Sequence, residues 1–239
     1  MLQSIAGAYT NGLLSSIING TESGALSLAI LISGIILSLL IGYVLGSLNF
    51  ALILSAKMYK DDIRNYGSKN AGTTNMMRTY GNKAAGLTIL GDALKAVVAV
   101  VIGSFLMGVM HGGYVAALGC VLGHVFPVFY RFKGGKGVAT AAAAILVLNP
   151  FAFLIVLGVF ILCVVCTRYV SLGSVLGAAL FPLLTFYSCF GGEKILAGSG
   201  FAFICAFIIA ALVIIKHHAN LSRLAAGKES KFSFKKSKK

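Results

Sequence analysis

The sequence predicts an all-α, polytopic membrane bundle of about seven transmembrane spans, with the N-terminus outside and the C-terminus cytoplasmic. Three observations predict it. Hydrophobic residues make up 58% of the 239-residue chain and charged residues 11%, less than half the ~25% usual in a soluble domain. The mean hydropathy is +0.93. The apolar residues gather into long runs, and basic clusters separate those runs. Low charge and the lack of an internal repeat exclude disordered and fibrous classes. A net charge of +14 would suggest nucleic acid if it formed one soluble basic face. Here the cations fall in the gaps between apolar runs, so no nucleic-acid partner is expected and membrane lipids are.

No Lys or Arg precedes Lys57, so the N-terminus lacks the positive region of a cleavable signal peptide. Residues 1–25 are expected to form an extracytoplasmic extension. The first apolar run, 26–56, exceeds the ~20 residues that cross ~30 Å of hydrocarbon. It reads as a tilted span, or as one span with an overhanging turn. Further runs cover 84–110, 113–130, 137–149, 151–167, 170–190 and 199–216. The run 137–149 is short and ends at Asn149-Pro150, so 137–167 is either a bent hairpin or one long span.

Charge tests the number of spans. With seven spans and the N-terminus outside, the cytoplasmic segments are 57–83, 131–136, the link at Arg168 and everything after 216. These hold Lys57, Lys60, Arg64, Lys69, Arg78 and Lys83, then Arg131, Lys133 and Lys136. The C-terminal segment adds Lys216, Arg223, Lys228, Lys231, Lys235, Lys236, Lys238 and Lys239. Only Lys95, inside a span, and Lys194, in an outer loop, fall elsewhere. Losing one span would place several clusters outside, against the positive-inside rule. The domain plan is therefore the extension 1–25, a membrane domain 26–224 and a basic cytoplasmic tail 225–239.

The cysteines lie in or beside apolar runs, and Cys163 and Cys166 have no second pair or nearby His to complete a metal site. They read as small packing residues. The 29 glycines suit helices whose backbones approach closely.

Polar residues break the pattern in four places. The first is Tyr66-Gly67-Ser68-Lys69-Asn70-Ala71-Gly72-Thr73-Thr74-Asn75-Met76-Met77-Arg78. Small residues and glycines offer backbone N–H donors to phosphate oxygens, and an Arg can clamp phosphate through two bonds. A solvated Gly-rich loop is the competing reading. The second runs from Gly123-His124 through Arg131-Phe132-Lys133-Gly134-Gly135-Lys136-Gly137 to Thr140, where paired glycines between lysines lead into a helix N-terminus. That geometry suits an anion, although lysines at a membrane boundary would look similar. Lys136 is followed by Gly137 and the glycine spacing fails, so this is not a Walker A loop. The third is Lys216-His217-His218-Ala219-Asn220-Leu221-Ser222-Arg223-Leu224, in which His217 and Asn220 can share a helix face. An interfacial His-Lys cluster is the alternative. The fourth is Asp92 and Lys95, one turn apart within a span. Either charge alone in lipid would cost at least ~2.5 kcal/mol, so a structural pair is as good a reading as a catalytic one. His124 is a candidate partner for a cytoplasmic loop, and His111 reads as a residue of the outer face.

Taken together, these stretches resemble the bacterial acyl-phosphate:glycerol-3-phosphate acyltransferases, an integral membrane family. The resemblance runs from about Tyr43 to Lys228 and rests on three motifs in the family's order: Gly67-Ser68 to Arg78, Gly123-His124 to Thr140, and His217 to Leu224. It implies a multi-pass protein of the bacterial cytoplasmic (inner) membrane with its active site on the cytoplasmic face. It also implies transfer of a fatty acyl group from acyl-phosphate to the 1-hydroxyl of glycerol 3-phosphate, the first acylation in phospholipid synthesis. By the same resemblance Ser68, Lys136 and His217 are catalytic, and Ser68, Arg78, Lys136, His217 and Asn220 bind glycerol 3-phosphate. Gly134, Gly135 and Gly137, with Asn70 and Thr74, would receive the acyl-phosphate. Departures are Lys69 where Gly is usual, Asn49 where Pro is usual, and His218-Ala219 where Arg-Glu commonly follows the first His. None of them touches Ser68, Arg78 or Lys136.

The residue set suits this chemistry. Acyl-phosphate is an activated mixed anhydride, so an attacking alcohol needs alignment and charge neutralisation more than an enzyme nucleophile. Direct transfer without an acyl-enzyme is expected. The base is left among His217, Ser68 in relay, and a substrate phosphate oxygen. The H-x-x-x-x-D pair of other acyltransferases is absent, since Phe129, Ser222 and Ala116 occupy the relevant places. No cofactor or metal is expected, because carboxylates are too few for a magnesium cage. The rival reading is a transporter of a phosphorylated metabolite, which would need polar residues along the depth of the spans.

Overall fold

A computed structural model describes residues 11–191 and 199–232, so Lys194, Lys235, Lys236, Lys238, Lys239 and the first part of the N-terminal extension lie outside it. The described elements are all helical. They are α1 (Leu13–Asn19), α2 (Gly24–Gly46), α3 (Phe50–Tyr59), α4 (Thr73–Tyr80), α5 (Asn82–Met107) and α6 (Tyr114–Val125). After them come α7 (Val138–Leu148), α8 (Pro150–Thr167), α9 (Val170–Phe190), α10 (Ser199–Lys216) and α11 (His218–Ala225). Among the described residues five stretches are long and apolar enough to cross a membrane, and the second, Asn82–Tyr130, holds both α5 and α6. The shorter α7 is apolar as well. Each expected run thus carries an apolar helix.

Two ambiguous runs are resolved by asparagine. The first run is not one tilted helix, because it breaks before Asn49, whose Oδ1 accepts from Leu52 N at 3.1 Å and starts α3. The side-chain amide of Asn49 also donates to Ala71 O, tying this break to the first polar loop. In 137–167, Asn149 ends α7 and its Oδ1 accepts from Ala152 N at 2.9 Å. Pro150 then opens α8 at its first position, where no N–H is missed. The segment is two helices.

Close backbone approach explains much of the glycine content. In α2 and α6, Gly42 and Gly46 face Gly119 and Gly123, each pair four residues apart. A Cβ on Gly42 would stand 2.2 Å from Ala116 O, and one on Gly46 2.1 Å from Cys120 O. From the other side, Gly119 would meet Leu39 O at 2.3 Å and Gly123 Tyr43 O at 2.1 Å. The two helices share a G-x-x-x-G seam, which gives van der Waals contact where lipid supplies no hydrophobic drive.

One ionic cluster sits inside the bundle. Lys95 Nζ lies 2.8 Å from Asp92 Oδ1 and donates to Gly46 O at 3.0 Å and Leu48 O at 2.9 Å. His124 Nδ1 is 3.0 Å from the same ammonium and 3.5 Å from Asp92 Oδ1. The cluster therefore satisfies the carbonyls freed where α2 ends, as the structural reading of Asp92 and Lys95 expects.

The polar connections meet at one end. Arg64 donates to the carbonyls of Tyr130 and Lys133, and the Lys136 ammonium donates to Asn220 Oδ1. Phe232 N donates to Arg168 O at 2.7 Å, folding the start of the tail back over the link between α8 and α9. At the opposite end, α1 packs Gly12 onto the Met107–Gly108 backbone. His111 is half-buried there, 5.5 Å from the Phe201 ring.

Candidate active site

The first polar loop is organised by Asn75, which is only 1% exposed. Its Oδ1 accepts from Ser68 N at 2.9 Å, and its amide donates to Ile63 O, Tyr66 O and Asn70 O. Four bonds from one side chain fix the loop's shape. Gly67 has φ 54°, and a Cβ there would stand 2.3 Å from Asn75 Oδ1. Lys69 also adopts the left-handed region at φ 56°, where glycine pays no steric penalty. The expectation of free loop N–H donors is corrected here: Ser68 N, Lys69 N (to Tyr66 O) and Gly72 N (to Asn70 O) are already engaged. The Ser68 hydroxyl is exposed and has no partner among the described residues. Asn70 lies beside it, and Thr74 occupies the first turn of α4.

The glycines of the second stretch also do something other than expected. Gly134 N donates to Val125 O at 3.2 Å and Gly135 N to His124 O at 3.1 Å. Both amides therefore close the end of α6 and are not free for an anion. Both positions need glycine for closeness: a Cβ on Gly134 would lie 2.0 Å from His124 O, and one on Gly135 2.2 Å from His124 Nε2. His124 is thus the partner of this loop. Gly137, at φ 80°, caps α7. The amides still open to an anion belong to the first turn of α7, where Thr140 Oγ1 is buried without a partner among the described residues.

In the third stretch, α10 ends at Lys216 and His217 starts a new short helix, α11. His217 is 3% exposed, and its Nδ1 lies 2.7 Å from Val213 O. A carbonyl can only accept, so the hydrogen is on Nδ1 and Nε2 keeps its lone pair. Asn220 takes the Lys136 ammonium on its Oδ1 and donates its amide to Glu229 Oε1 at 2.6 Å. Glu229 also accepts from Ser171 Oγ at 2.8 Å and Arg223 Nε at 2.8 Å. Asn75, Ser171 and Glu229 are the residues that sequence reasoning missed. Asn75 looked like one amide among several, and Glu229 like a lone acid in a basic tail.

These segments border an open cavity of about 330 Å³ whose walls include Ser68, Asn70, Gly134, Lys136, Asn220 and Arg223. Members of all three motifs meet there. Thr74, Arg78, Gly135, Gly137 and His217 are not on its wall. Arg78 is exposed on α4, and its guanidinium has no partner among the described residues. Burial lowers the Lys136 pKa to about 8; Glu229 opposes the shift, while Arg223, Arg78 and Lys216 reinforce it. Burial likewise lowers the His217 pKa, and the Lys136 charge adds to the effect. Glu229 is lowered despite its burial, because Asn220, Ser171 and Arg223 all bond to its carboxylate. The site is an excess of cations and amides around one engaged carboxylate, which suits an anionic ligand.

Comparison with known proteins gives a consistent result. The family model described as glycerol-3-phosphate acyltransferase matches residues 36–227. A glycerol-3-phosphate acyltransferase of Thermoanaerobacter pseudethanolicus is 43% identical over 200 residues, which is 84% of this chain and 96% of that protein. One from Trichlorobacter lovleyi is 46% identical over 190 residues, covering 80% and 93%. Among solved structures, the glycerol 3-phosphate form of PlsY (YgiH), an integral membrane glycerol 3-phosphate acyltransferase, superposes with a TM-score of 0.75 at 33% identity, covering 83% of this chain and 96% of PlsY. Its lysophosphatidic acid form gives 0.72 at 31%, covering 83% and 95%.

Proposed function

This chain belongs to the glycerol-3-phosphate acyltransferase family, and from that membership we propose that it acylates the 1-hydroxyl of glycerol 3-phosphate with acyl-phosphate as donor. The products are lysophosphatidate and phosphate. The single observation that carries the reading is the cavity where Ser68, Lys136 and Asn220, one from each motif, line a common wall.

Arg78, Lys136 and Asn220 hold the phosphate of glycerol 3-phosphate, and the Ser68 hydroxyl aligns its glycerol moiety. The acyl-phosphate lies against Asn70, Thr74 and the 134–137 loop, its phosphate facing the free amides that open α7. Gly134 and Gly135 act there by bringing the loop close, with their own amides turned inward. As the 1-hydroxyl attacks the acyl carbonyl, its proton goes to the lone pair of His217 Nε2, to Ser68 in relay or to a substrate phosphate oxygen. The C–O bond to phosphate then breaks and phosphate leaves, with no acyl-enzyme. Lys136 and the helix amides stabilise the negative charge that gathers on the carbonyl oxygen and leaving phosphate.

The basic connections at this end support a reading in which it faces the cytoplasm at a bacterial inner membrane, with the N-terminus outside and the C-terminus inside. A transporter would need a polar path, whereas the cavity beneath the site is lined almost wholly by apolar residues.

The test offers purified protein palmitoyl-phosphate, palmitoyl-CoA and palmitoyl-acyl-carrier protein in turn, each with glycerol 3-phosphate. Lysophosphatidate is expected from palmitoyl-phosphate alone. Equal product from another donor would overturn the donor assignment. No product from any donor, together with uptake of phosphate esters into proteoliposomes, would overturn the enzyme reading.

A further inference from the structure

A second cavity, of about 150 Å³, lies deeper in the bundle among α7, α8, α9 and α10. Its upper rim holds Val138, two residues beyond Lys136, and Val213, whose carbonyl bonds His217. The lining residues farthest along their helices from that rim are Ile145, Phe153, Phe181 and Ile209. Val138 to Ile145 and Ser174 to Phe181 are each seven residues, or about 10 Å of helix. With C–C bonds near 1.5 Å, an extended alkyl chain covers that depth in about eight carbons. Gly173 and Gly177 bring α9 against α8, since Cβ atoms there would meet Phe160 and Val156 at 3.0 and 3.1 Å. That wall is therefore tightly packed.

The floor has a firm backing. Phe181 is 1% exposed and Tyr114 2%. Their rings are nearly parallel, 3° apart in plane, with centroids 6.4 Å apart. An alkyl chain reaching this layer meets one aromatic ring supported by another. Ala142 and Ala178, with small side chains, line the middle of the cavity.

We propose that this cavity gauges acyl chain length, with Phe181, backed by Tyr114, as the floor that limits how much of the chain is held. The proposal rests on the acyltransfer reading for its occupant, the acyl chain of donor and product. The rim next to Lys136 and His217 puts the chain's reactive end at the polar site and its methylenes in the apolar space. A chain longer than the cavity must pass Phe181 or bend out into lipid, so the floor sets the length at which transfer becomes less efficient.

The experiment compares kcat/KM for acyl-phosphates from decanoyl to stearoyl in the full-length wild type, Phe181→Ala and Ala178→Leu. Phe181→Ala is expected to raise the stearoyl-to-decanoyl ratio by about tenfold, and Ala178→Leu to lower it by about tenfold, as pocket methylenes discriminate on this scale. The KM for glycerol 3-phosphate should stay within about twofold, because neither residue lines the polar cavity. Folded variants with unchanged ratios, or ratios that move in the same direction, would overturn the proposal. If Phe181→Ala does not fold, Phe181→Leu must still shift the ratio toward longer chains. Should the wild type transfer no acyl group, the acyltransfer reading fails first. Binding of hexyl to octadecyl phosphates then tests the gauge separately. Affinity should stop rising at the floor and rise further in Phe181→Leu; the same length dependence in both proteins would overturn it.

Discussion

The buried cluster around Lys95 and the cavity around Lys136 use the same residue types to opposite ends. Lys95 has Asp92 at 2.8 Å and two carbonyls at 2.9 and 3.0 Å, so all three of its N–H groups are taken. Lys136 bonds only Asn220, and near it the Arg78 guanidinium and Ser68 hydroxyl have no partners among the described residues. The first cluster is balanced within the fold, and its charges hold α2, α5 and α6 together. The second is left positive and unsaturated, and an anionic ligand can complete it. Saturation, more than residue type, separates a structural lysine from one left able to take a ligand.

The largest effect should come from breaking the balanced cluster. Asp92→Ala leaves the Lys95 charge buried and unpaired, which costs about 3–5 kcal/mol of stability. Loss of folded protein in thermal melts of the purified variant checks this. Asp92→Ala combined with Lys95→Met should recover a good part of that loss, since the unpaired charge is then gone.

Lys136→Ala should leave the melt near wild type and lower turnover by roughly 100- to 1,000-fold, the range seen when one charge-stabilising donor is removed. Arg78→Ala, exposed and outside the cavity wall, should act mainly through phosphate binding. A rise of about 10- to 100-fold in the KM for glycerol 3-phosphate is expected. Near-wild-type turnover in Lys136→Ala, or an unchanged KM for glycerol 3-phosphate in Arg78→Ala, would erase the contrast between the two regions.

The smallest effects are shifts in pH dependence. The Lys136 pKa is depressed to about 8, so its positive charge is present below that pH and lost above it. kcat/KM should therefore fall as pH rises through about 8, well before an ordinary lysine would titrate. Glu229 raises this pKa; Glu229→Gln should remove that support and move the alkaline limb to lower pH. The substitution keeps an acceptor for Ser171 and Asn220, so the melt should change little. Burial lowers the His217 pKa, so the acidic limb should fall below the usual histidine range of about 6.5.

Much of this was legible in the sequence because membranes make composition informative. Apolar runs and cations in the gaps gave the helices, and Asp92 with Lys95 read correctly as a pair. The helix break at Asn49 was not legible, because an amide's capping role depends on where the chain turns. Nor was the division of labour among the glycines. Spacing made Gly134 and Gly135 look like anion donors, whereas their amides close α6 and their missing side chains let the loop meet His124. Asn75 and Glu229 carry four and three hydrogen bonds respectively. Those bonds join residues up to 58 positions apart, a relation no local pattern encodes.

The most direct test of the central claim is lysophosphatidate formation from palmitoyl-phosphate and glycerol 3-phosphate by wild type and Lys136→Ala, each with its thermal melt recorded. Product is expected from the wild type, with a drop of at least about 100-fold in the variant and matching melts. Near-wild-type product formation by a folded Lys136→Ala protein would contradict it.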